Sequence, residues 1–277
     1  MGTEKTDAIV IRVVEFSESS CVVTLFTRDF GKIAAMAKGA RRPKSPFESA
    51  IDLLTTSRIL LLHKSSDSLD LLTEAKVQRR FRASARSLSH LYAGYYVAEL
   101  LALLTDLGDP HPELFELVED TIQRLDDLQN PAAVVVRFEL NALRLLGQLP
   151  SLCDCCQCGC EVPVNRRVSF GQITGGILCP GCRTGLTQVV SVRWPVLVAM
   201  RQFAVLEPEI PEFDLKVHGE LRGLMNNYLS HLIGKRPRMV PFLEILVKPA
   251  EIRENAQTRS ELPMVDTSVL SIDESSL

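Results

Sequence analysis

The chain has 277 residues, 46% of them hydrophobic and 23% charged, with a formal net charge of −3. These values suit a folded chain of one large domain or two ordinary ones, and they exclude a disordered or collagen-like protein. No apolar run reaches the roughly 18 residues that cross a bilayer, and Met1 to Asp7 carry no basic cluster leading into an apolar stretch, so neither a membrane span nor a secretory signal is read and a cytoplasmic protein is expected.

The charge is unevenly distributed. Residues 1–90 hold 15 Lys+Arg against 10 Asp+Glu, a net of +5, and the remainder holds 16 against 24, a net of −8. A basic first third on an acidic remainder points mildly to a polyanionic partner for that third alone.

In chain order, Ala8–Phe16 is rich in β-branched residues and ends in a turn, Ser17-Glu18-Ser19-Ser20. Cys21–Thr27 and Lys32–Ala37 are the next strand candidates, separated by Arg28-Asp29-Phe30-Gly31. A loop rich in charge and proline follows, Lys38-Gly39-Ala40-Arg41-Arg42-Pro43-Lys44-Ser45-Pro46. Leu53–His63 and Leu69–Val77 then flank the polar turn Lys64–Ser68. Five short strands before any helix predict a small barrel. The oligonucleotide-binding (OB) type is the commonest five-stranded form, although pattern alone does not separate it from an SH3-like barrel.

The pattern changes near residue 80. Leu88, Leu91, Tyr95, Ala98, Leu101 and Leu104 recur at helical spacing within residues 84–106. Pro112–Leu128 predicts a second helix, with Glu113 and Glu116 in its first turn, where the helix dipole favours acids. Asn130-Pro131 is a cap followed by a first-turn proline, and it opens a third helix ended by Gly147. Arg193–Val205, Leu215–Ile233 and Arg238–Leu246 read as further helices, and the polar tail from Pro249 to Leu277 is expected to be disordered.

Seven of the eight cysteines lie between Cys153 and Cys182. In a reducing compartment such a cluster predicts metal ligands rather than disulfides. The frame Cys155-x-x-Cys158 with Cys179-x-x-Cys182 supplies two knuckles and four thiolates for one tetrahedral zinc ion, an iron–sulfur cluster being the other reading. Four thiolates leave no open coordination position, so the zinc is expected to be structural. Cys153/Cys156 makes another C-x-x-C, and Cys156 or Cys160 can stand in for a neighbour, so the register stays open among Cys153, Cys155, Cys156, Cys158 and Cys160. The frame above is preferred, with Cys153, Cys156 and Cys160 as incidental thiols.

In the barrel region the ordered motifs Glu15-x-x-Glu18, Leu25-Phe26-Thr27-x-x-x-Gly31-Lys32, and Ala37-Lys38-Gly39-Ala40-Arg41-Arg42-Pro43-Lys44-Ser45 resemble those of the RecO family of recombination mediators. Leu91-Tyr92-Ala93-x-Tyr95-Tyr96-x-x-Glu99-Leu100 is similar to the family's first long helix. Gly147-x-x-Pro150-x-Leu152-x-x-Cys155-x-x-Cys158-Gly159 and Gly175-Gly176-x-Leu178-Cys179-x-x-Cys182 are similar to its zinc region, and Tyr228-x-x-His231-Leu232-x-Gly234-Lys235 to its closing helix. The likeness covers roughly residues 5–248; the cysteines at 153, 156 and 160 depart from it.

The resemblance implies a repair protein, nucleoid-associated during its work. It would bind single- and double-stranded DNA, anneal complementary strands, and associate with RecR and single-stranded-DNA-binding protein (SSB), thereby helping RecA to load. The expected architecture is α+β. It comprises an OB-type barrel over 1–80, an all-helical domain over 81–248 with a four-cysteine zinc finger at about 150–190, and the tail 249–277.

Annealing needs cations that neutralise phosphate repulsion and leave bases free, not covalent chemistry. Lys38, Arg41, Arg42 and Lys44 place four cations in seven residues beside the barrel groove. Arg12, Arg28 and Lys32 can extend the track, and Lys76, Arg79, Arg80, Arg82 and Arg86 form a second cluster. Phe16, Phe26, Phe30 and Phe47 are the barrel aromatics. At least two are expected in the core, so backbone binding is favoured over base reading. Lys235-Arg236-x-Arg238 beside Phe242 is a weaker candidate for an acidic peptide. No phosphate loop, H-E-x-x-H or G-x-S-x-G motif is present, and His111-Pro112-Glu113 and His218-Gly219-Glu220 lack the Pro-Cys-x-x-Cys partner of a deaminase. A non-enzymatic mediator is therefore expected, and a zinc-ribbon scaffold that joins proteins without touching DNA is the alternative.

Overall fold

The structure is a computed structural model, and it describes residues 2–42, 45, 47, 49–63, 69–207, 209–211 and 215–246. Lys44, the predicted turn Lys64–Ser68 and the predicted tail Pro249–Leu277 lie outside the described residues.

Five strands build the N-terminal sheet: β1 (Thr3–Glu15), β2 (Cys21–Thr27), β3 (Gly31–Ala37), β4 (Thr56–Leu62) and β5 (Asp70–Arg79). They close in the order β1-β2-β3-β5-β4. Closure depends on β1 being longer than its apolar run. Thr3–Ile9 pairs with β4, whereas Ala8–Glu15 pairs with β2, and a bulge between Val10 and Arg12 lets the strand change partner. The sequence predicts a strand only from Ala8 because Thr3–Asp7 is polar; the ladder to β4 makes those residues a strand. Val10, Val23, Leu25, Ile33, Ala35, Ile59, Leu61 and Leu72 fill the interior, with Phe47 packed among them.

The helical part begins with a short 3-10 turn, Ala83–Ala85, followed by α1 (Leu88–Leu104), α2 (Pro112–Asp126) and α3 (Pro131–Leu145). Asn130 caps α3 as its sequence suggests, its side-chain oxygen accepting from the Ala132 N–H at 3.0 Å. After the first cysteine knuckle come β6 (Arg167–Gly171) and β7 (Gly176–Leu178), and after the second β8 (Val189–Arg193), in the order β7-β6-β8. Then follow α4 (Trp194–Phe203) and α5 (Leu215–Ile233). The second region is therefore not all-helical as expected, since two strands between the cysteine pairs and a third after Cys182 fold into their own antiparallel sheet. The expected helix Arg238–Leu246 is instead a 3-10 turn over Val240–Leu246. Pro237 and Pro241 remove the amide donors that a regular helix would need there.

At the centre, α3 is buried from Pro131 to Leu143, and that stretch includes a carboxylate. Glu139 is fully buried and accepts from the Arg222 guanidinium at 2.5 Å and from the Tyr96 hydroxyl, joining α1, α3 and α5 through one charge pair. Removing either partner would strand the other charge, which costs about 3–5 kcal/mol.

The barrel meets the helices at its β2–β3 turn. Gly31 has φ of +65°, and a Cβ there would stand 2.0 Å from the Asp109 carbonyl oxygen. The adjacent Gly108 N–H donates to Lys32 O at 2.9 Å. On α1, a Cβ at Gly94 would stand 2.6 Å from Leu54 Cδ1 and 2.8 Å from the Phe81 ring, so the helix rests close on the barrel.

Two outcomes are expected. Gly31→Ala should destabilise the protein by about 1–3 kcal/mol through overcrowding, with strain from its left-handed backbone added, seen as a lowered urea midpoint. His218 is buried on α5, and burial with the Arg222 charge beside it pushes its imidazole down to about 4. The unfolded chain takes up this proton nearer its ordinary 6.5. Stability should therefore fall as pH drops from about 6.5 to about 4. Urea midpoints across that range should lose part of this slope in His218→Leu.

Candidate nucleic-acid interface and metal centre

Strand pairing defines one outer face shared by β1, β2 and β3, because directly paired residues present their side chains to the same side of a sheet. At one end of this face lie Ile9, Phe26 and Lys32, paired in succession. At the other lie two rows, Arg12–Thr24–Ala34 and Val14–Val22–Met36.

The first end is covered. Ile9 and Phe26 are fully buried, and Phe26 stacks on Phe115 of α2 at 6.2 Å. Arg28 lies 4.9 Å over the same Phe115 ring and reaches Glu116 at 2.9 Å and Glu119 at 3.1 Å. The Lys32 ammonium donates to Ala102 O at 2.8 Å and to Thr105 O, the last carbonyls of α1. Burial lowers its pKa, and Asp106 partly restores it.

The second end is open. Arg12 is exposed and Val14 is 42% exposed, while Phe16, just past β1, is 67% exposed. The loop after β3 is pinned beside it. Gly39 N–H donates to Ser20 Oγ at 3.3 Å, Arg41 N–H to Ser19 O at 3.1 Å, and Arg42 N–H to Gly39 O at 3.1 Å. Arg41 also pairs with Glu15 at 2.9 Å. Lys38 and Arg42 are exposed, and with Phe16, Ser19, Ser20 and Met36 they line a groove of about 400 Å³.

The cations expected on DNA thus separate. Lys38, Arg41, Arg42 and Arg12 gather at the open end, whereas Lys32 and Arg28 hold the covered end. Arg79 is also turned to the helices, donating to Gln123 Oε1 at 2.7 Å and Glu119 O at 2.8 Å. Arg80 is exposed and, among the described residues, has no hydrogen bond or ion pair. Of the aromatics, Phe26 and Phe47 are core, as expected for two of them. Phe16 is exposed: an aromatic at a strand end, followed by four polar turn residues, has no core to enter. Lys235 and Arg236 are exposed, and Phe242 leans on Tyr92 at 5.2 Å.

The cysteine knuckles come together around one point. Asp154 and Glu161 bridge a hairpin in which the Gly159 N–H returns to Cys155 O at 2.8 Å and the Cys155 N–H donates to Cys160 O at 2.9 Å. Gly159 supplies the left-handed turn, with φ of +70°. Among the described residues, the thiols of Cys155, Cys158, Cys160 and Cys179 lie within 4.8 Å of one another. Cys158 Sγ is 3.8 Å from Cys179 Sγ, close to the edge of a tetrahedron with bonds of about 2.3 Å. Cys182 was expected in this group. It is not in the 4.8 Å set but stands beside it, its N–H facing Cys179 Sγ at 3.4 Å. Cys160, read from sequence as incidental, is part of the cluster.

The electrostatics suit a cation. Burial pushes the Cys155 thiol up, but hydrogen bonds from Cys179, Cys158 and Gln157 backbone groups outweigh it and bring it to about 6. The Cys182 N–H likewise lowers Cys179. Cys160 and Cys182 are each raised to about 12, chiefly by sharing hydrogen bonds with the Cys158 and Cys179 thiols. Four close thiols with backbone N–H groups turned toward them are a soft donor set that fits a metal ion without an added ligand.

A barrel with a half-open basic face, docked on a helical body that carries a cysteine metal-binding cluster, defines the class of protein. Family models described as recombination protein O N terminal and recombination protein O C terminal match residues 1–81 and 85–239. The chain belongs to the recombination protein O (RecO) family. It is 41% identical over 263 residues to the DNA repair protein RecO of Rhodopirellula baltica, covering 85% of this chain and 97% of that one. It is 37% identical over 194 residues to that of Desulfitobacterium hafniense, covering 70% of each. To that of Myxococcus xanthus it is 32% identical over 237 residues, 86% of this chain and 95% of the other. No helix among the described residues is long and apolar enough to cross a membrane.

Replacing Lys32 by Met should separate the two groups of cations. It removes charge-assisted bonds to the end of α1, so the unfolding free energy should fall by about 1–3 kcal/mol. Affinity for oligonucleotides should stay within error of wild type in fluorescence anisotropy. A large loss of DNA affinity at unchanged stability would return Lys32 to the track.

Proposed function

We propose that this protein is a non-enzymatic recombination mediator in DNA repair. It binds single- and double-stranded DNA, anneals complementary strands and, with RecR, helps RecA load on strands coated by SSB. In this reading the OB-type barrel, residues 1–80, carries the DNA, and residues 81–248 form a supporting domain. The four-cysteine centre holds one structural zinc, drawn from Cys155, Cys158, Cys179 and Cys182, with Cys160 available to it. Bound zinc fastens the two knuckles, and its binding energy becomes folding energy.

The observation that carries the proposal is the open half of the β1–β2–β3 face. Val14, Val22 and Met36 make a mildly apolar strip, Phe16 stands at its end, and Arg12, Lys38, Arg41 and Arg42 surround it. Cations bordering an apolar strip and an exposed ring suit a single strand, whose phosphates take the charge and whose bases lie on the flat surface. Lys44 is assigned to the same track from its place in the sequence. Lys32 and Arg79 are left out because helix contacts hold them, and Arg80 because it follows Arg79, which pairs through Thr56 with Ile9 at the covered end. RecR, SSB and RecA enter from family membership and are given no surface here.

Annealing of complementary labelled oligonucleotides, bare and SSB-coated, across a salt series tests this reading. Wild type should accelerate annealing, and the effect should weaken steeply with salt as released counterions are replaced. Lys38, Arg41, Arg42 and Lys44 all changed to Ala should abolish the acceleration and flatten the salt dependence. Phe16→Ala should weaken single-strand affinity roughly ten-fold, since stacking on one base is worth about 1–3 kcal/mol, with little change for duplex. Zinc-loaded, folded protein that accelerates nothing at any salt would make the protein-only scaffold the better account.

A further inference from the structure

A structural four-thiolate zinc site needs four sulfurs. Here five converge. Cys155, Cys158 and Cys179 are common to two possible sets. With Cys160 they make the group within 4.8 Å, in which the Cys158 and Cys160 sulfurs are 3.3 Å apart. With Cys182 they make the two-knuckle set read from the sequence, and the turn that carries Cys182 folds onto the cluster, its N–H facing Cys179 Sγ at 3.4 Å.

Both candidates for the fourth position sit on backbone that is already formed. Cys160 is opposite Cys155 in the hairpin, its carbonyl accepting the Cys155 N–H at 2.9 Å. Cys182 closes its own turn, in which the Arg183 N–H donates to Cys179 O at 3.2 Å. These bonds join main-chain groups, so neither turn is held together by the sulfur it would supply. Two further cysteines do not compete: Cys156 turns to Thr174 Oγ1 at 3.5 Å, and Cys153 is exposed outside the group.

We propose that the centre holds its zinc through a fixed trio, Cys155, Cys158 and Cys179, and an exchangeable fourth ligand supplied by either Cys160 or Cys182. This rests on the zinc reading above. In the exchange, one Zn–S bond forms as another breaks, and the proton given up by the incoming thiol is taken by the departing thiolate. No electron moves, and the charge of the centre is unchanged. The device leaves one thiol free at any moment and keeps the ion bound when either fourth ligand is lost.

The test uses the full chain with Cys158→Ala, Cys160→Ala, Cys182→Ala and the double variant Cys160→Ala/Cys182→Ala. Zinc per chain is measured by elemental analysis, affinity by chelator competition, and stability by thermal melting. Each fourth-ligand single variant should keep one zinc with affinity within roughly ten-fold of wild type. Cys158→Ala and the double variant should each lose roughly a hundred-fold or more and melt lower. Proton–cadmium correlation spectra of cadmium-loaded wild type should connect the ion to both Cys160 and Cys182, which a variant that fails to fold cannot obscure. Loss of zinc in Cys182→Ala alone, with no cadmium coupling to Cys160, overturns the proposal; so does retention of zinc in the double variant. Wild type that binds no zinc at all removes the zinc reading itself.

Discussion

The arrangement depends on one contact, the burial of half of a sheet face under the first helices. Phe26 and Ile9 fill that contact, and fully burying each such side chain is worth about 1.5–3 kcal/mol. Lys32 then serves α1 as a C-terminal cation, where the unpaired carbonyls and the helix dipole favour positive charge. Once this end is covered, only the far end of the same face can meet a ligand. The polarity proposed for the barrel thus follows from where it is docked, and the cation-rich loop after β3 lies at the end left open.

This explains why the cations could be found in the sequence but not sorted there. Lys32, Arg28 and Arg79 look like Lys38 and Arg42 in a linear reading, because a charge count carries no information about which groups are matched across space. Their partners, Glu116, Glu119, Gln123 and the α1 carbonyls, lie between 40 and 91 residues away in sequence for the hydrogen bonds that fix them. The strands were legible because β-branched runs alternate with polar turns, and α2, α3 and α5 because caps, prolines and apolar spacing agree. Thr3–Asp7 and the β6–β8 sheet were not legible. The first is polar and is held by pairing to β4, and the second is made of short strands split around the second cysteine knuckle.

The metal centre shows the same division. Two C-x-x-C knuckles with intervening glycines announce a thiolate site, and the glycine after Cys158 takes the left-handed turn the knuckle needs. The place of Cys160 depends on a hairpin that brings it opposite Cys155, which spacing does not disclose. The sheet β6–β8 and Arg201, which donates to Leu152 O just before the first knuckle at 2.6 Å, connect this centre to α4. The helical body is further joined at Glu139, whose buried charge requires Arg222 and Tyr96 to be in place together.

The central claim is that DNA occupies the open half of the β1–β2–β3 face. Amide hydrogen exchange of the whole protein, with and without a short single-stranded oligonucleotide, addresses it most directly. Slowed exchange confined to Arg12–Phe16, Ser20–Val22 and Met36–Arg42, with the β2–β3 turn and α1 unaffected, is the result expected. Protection confined to the helices, with those barrel segments unchanged at saturating oligonucleotide, would contradict the account.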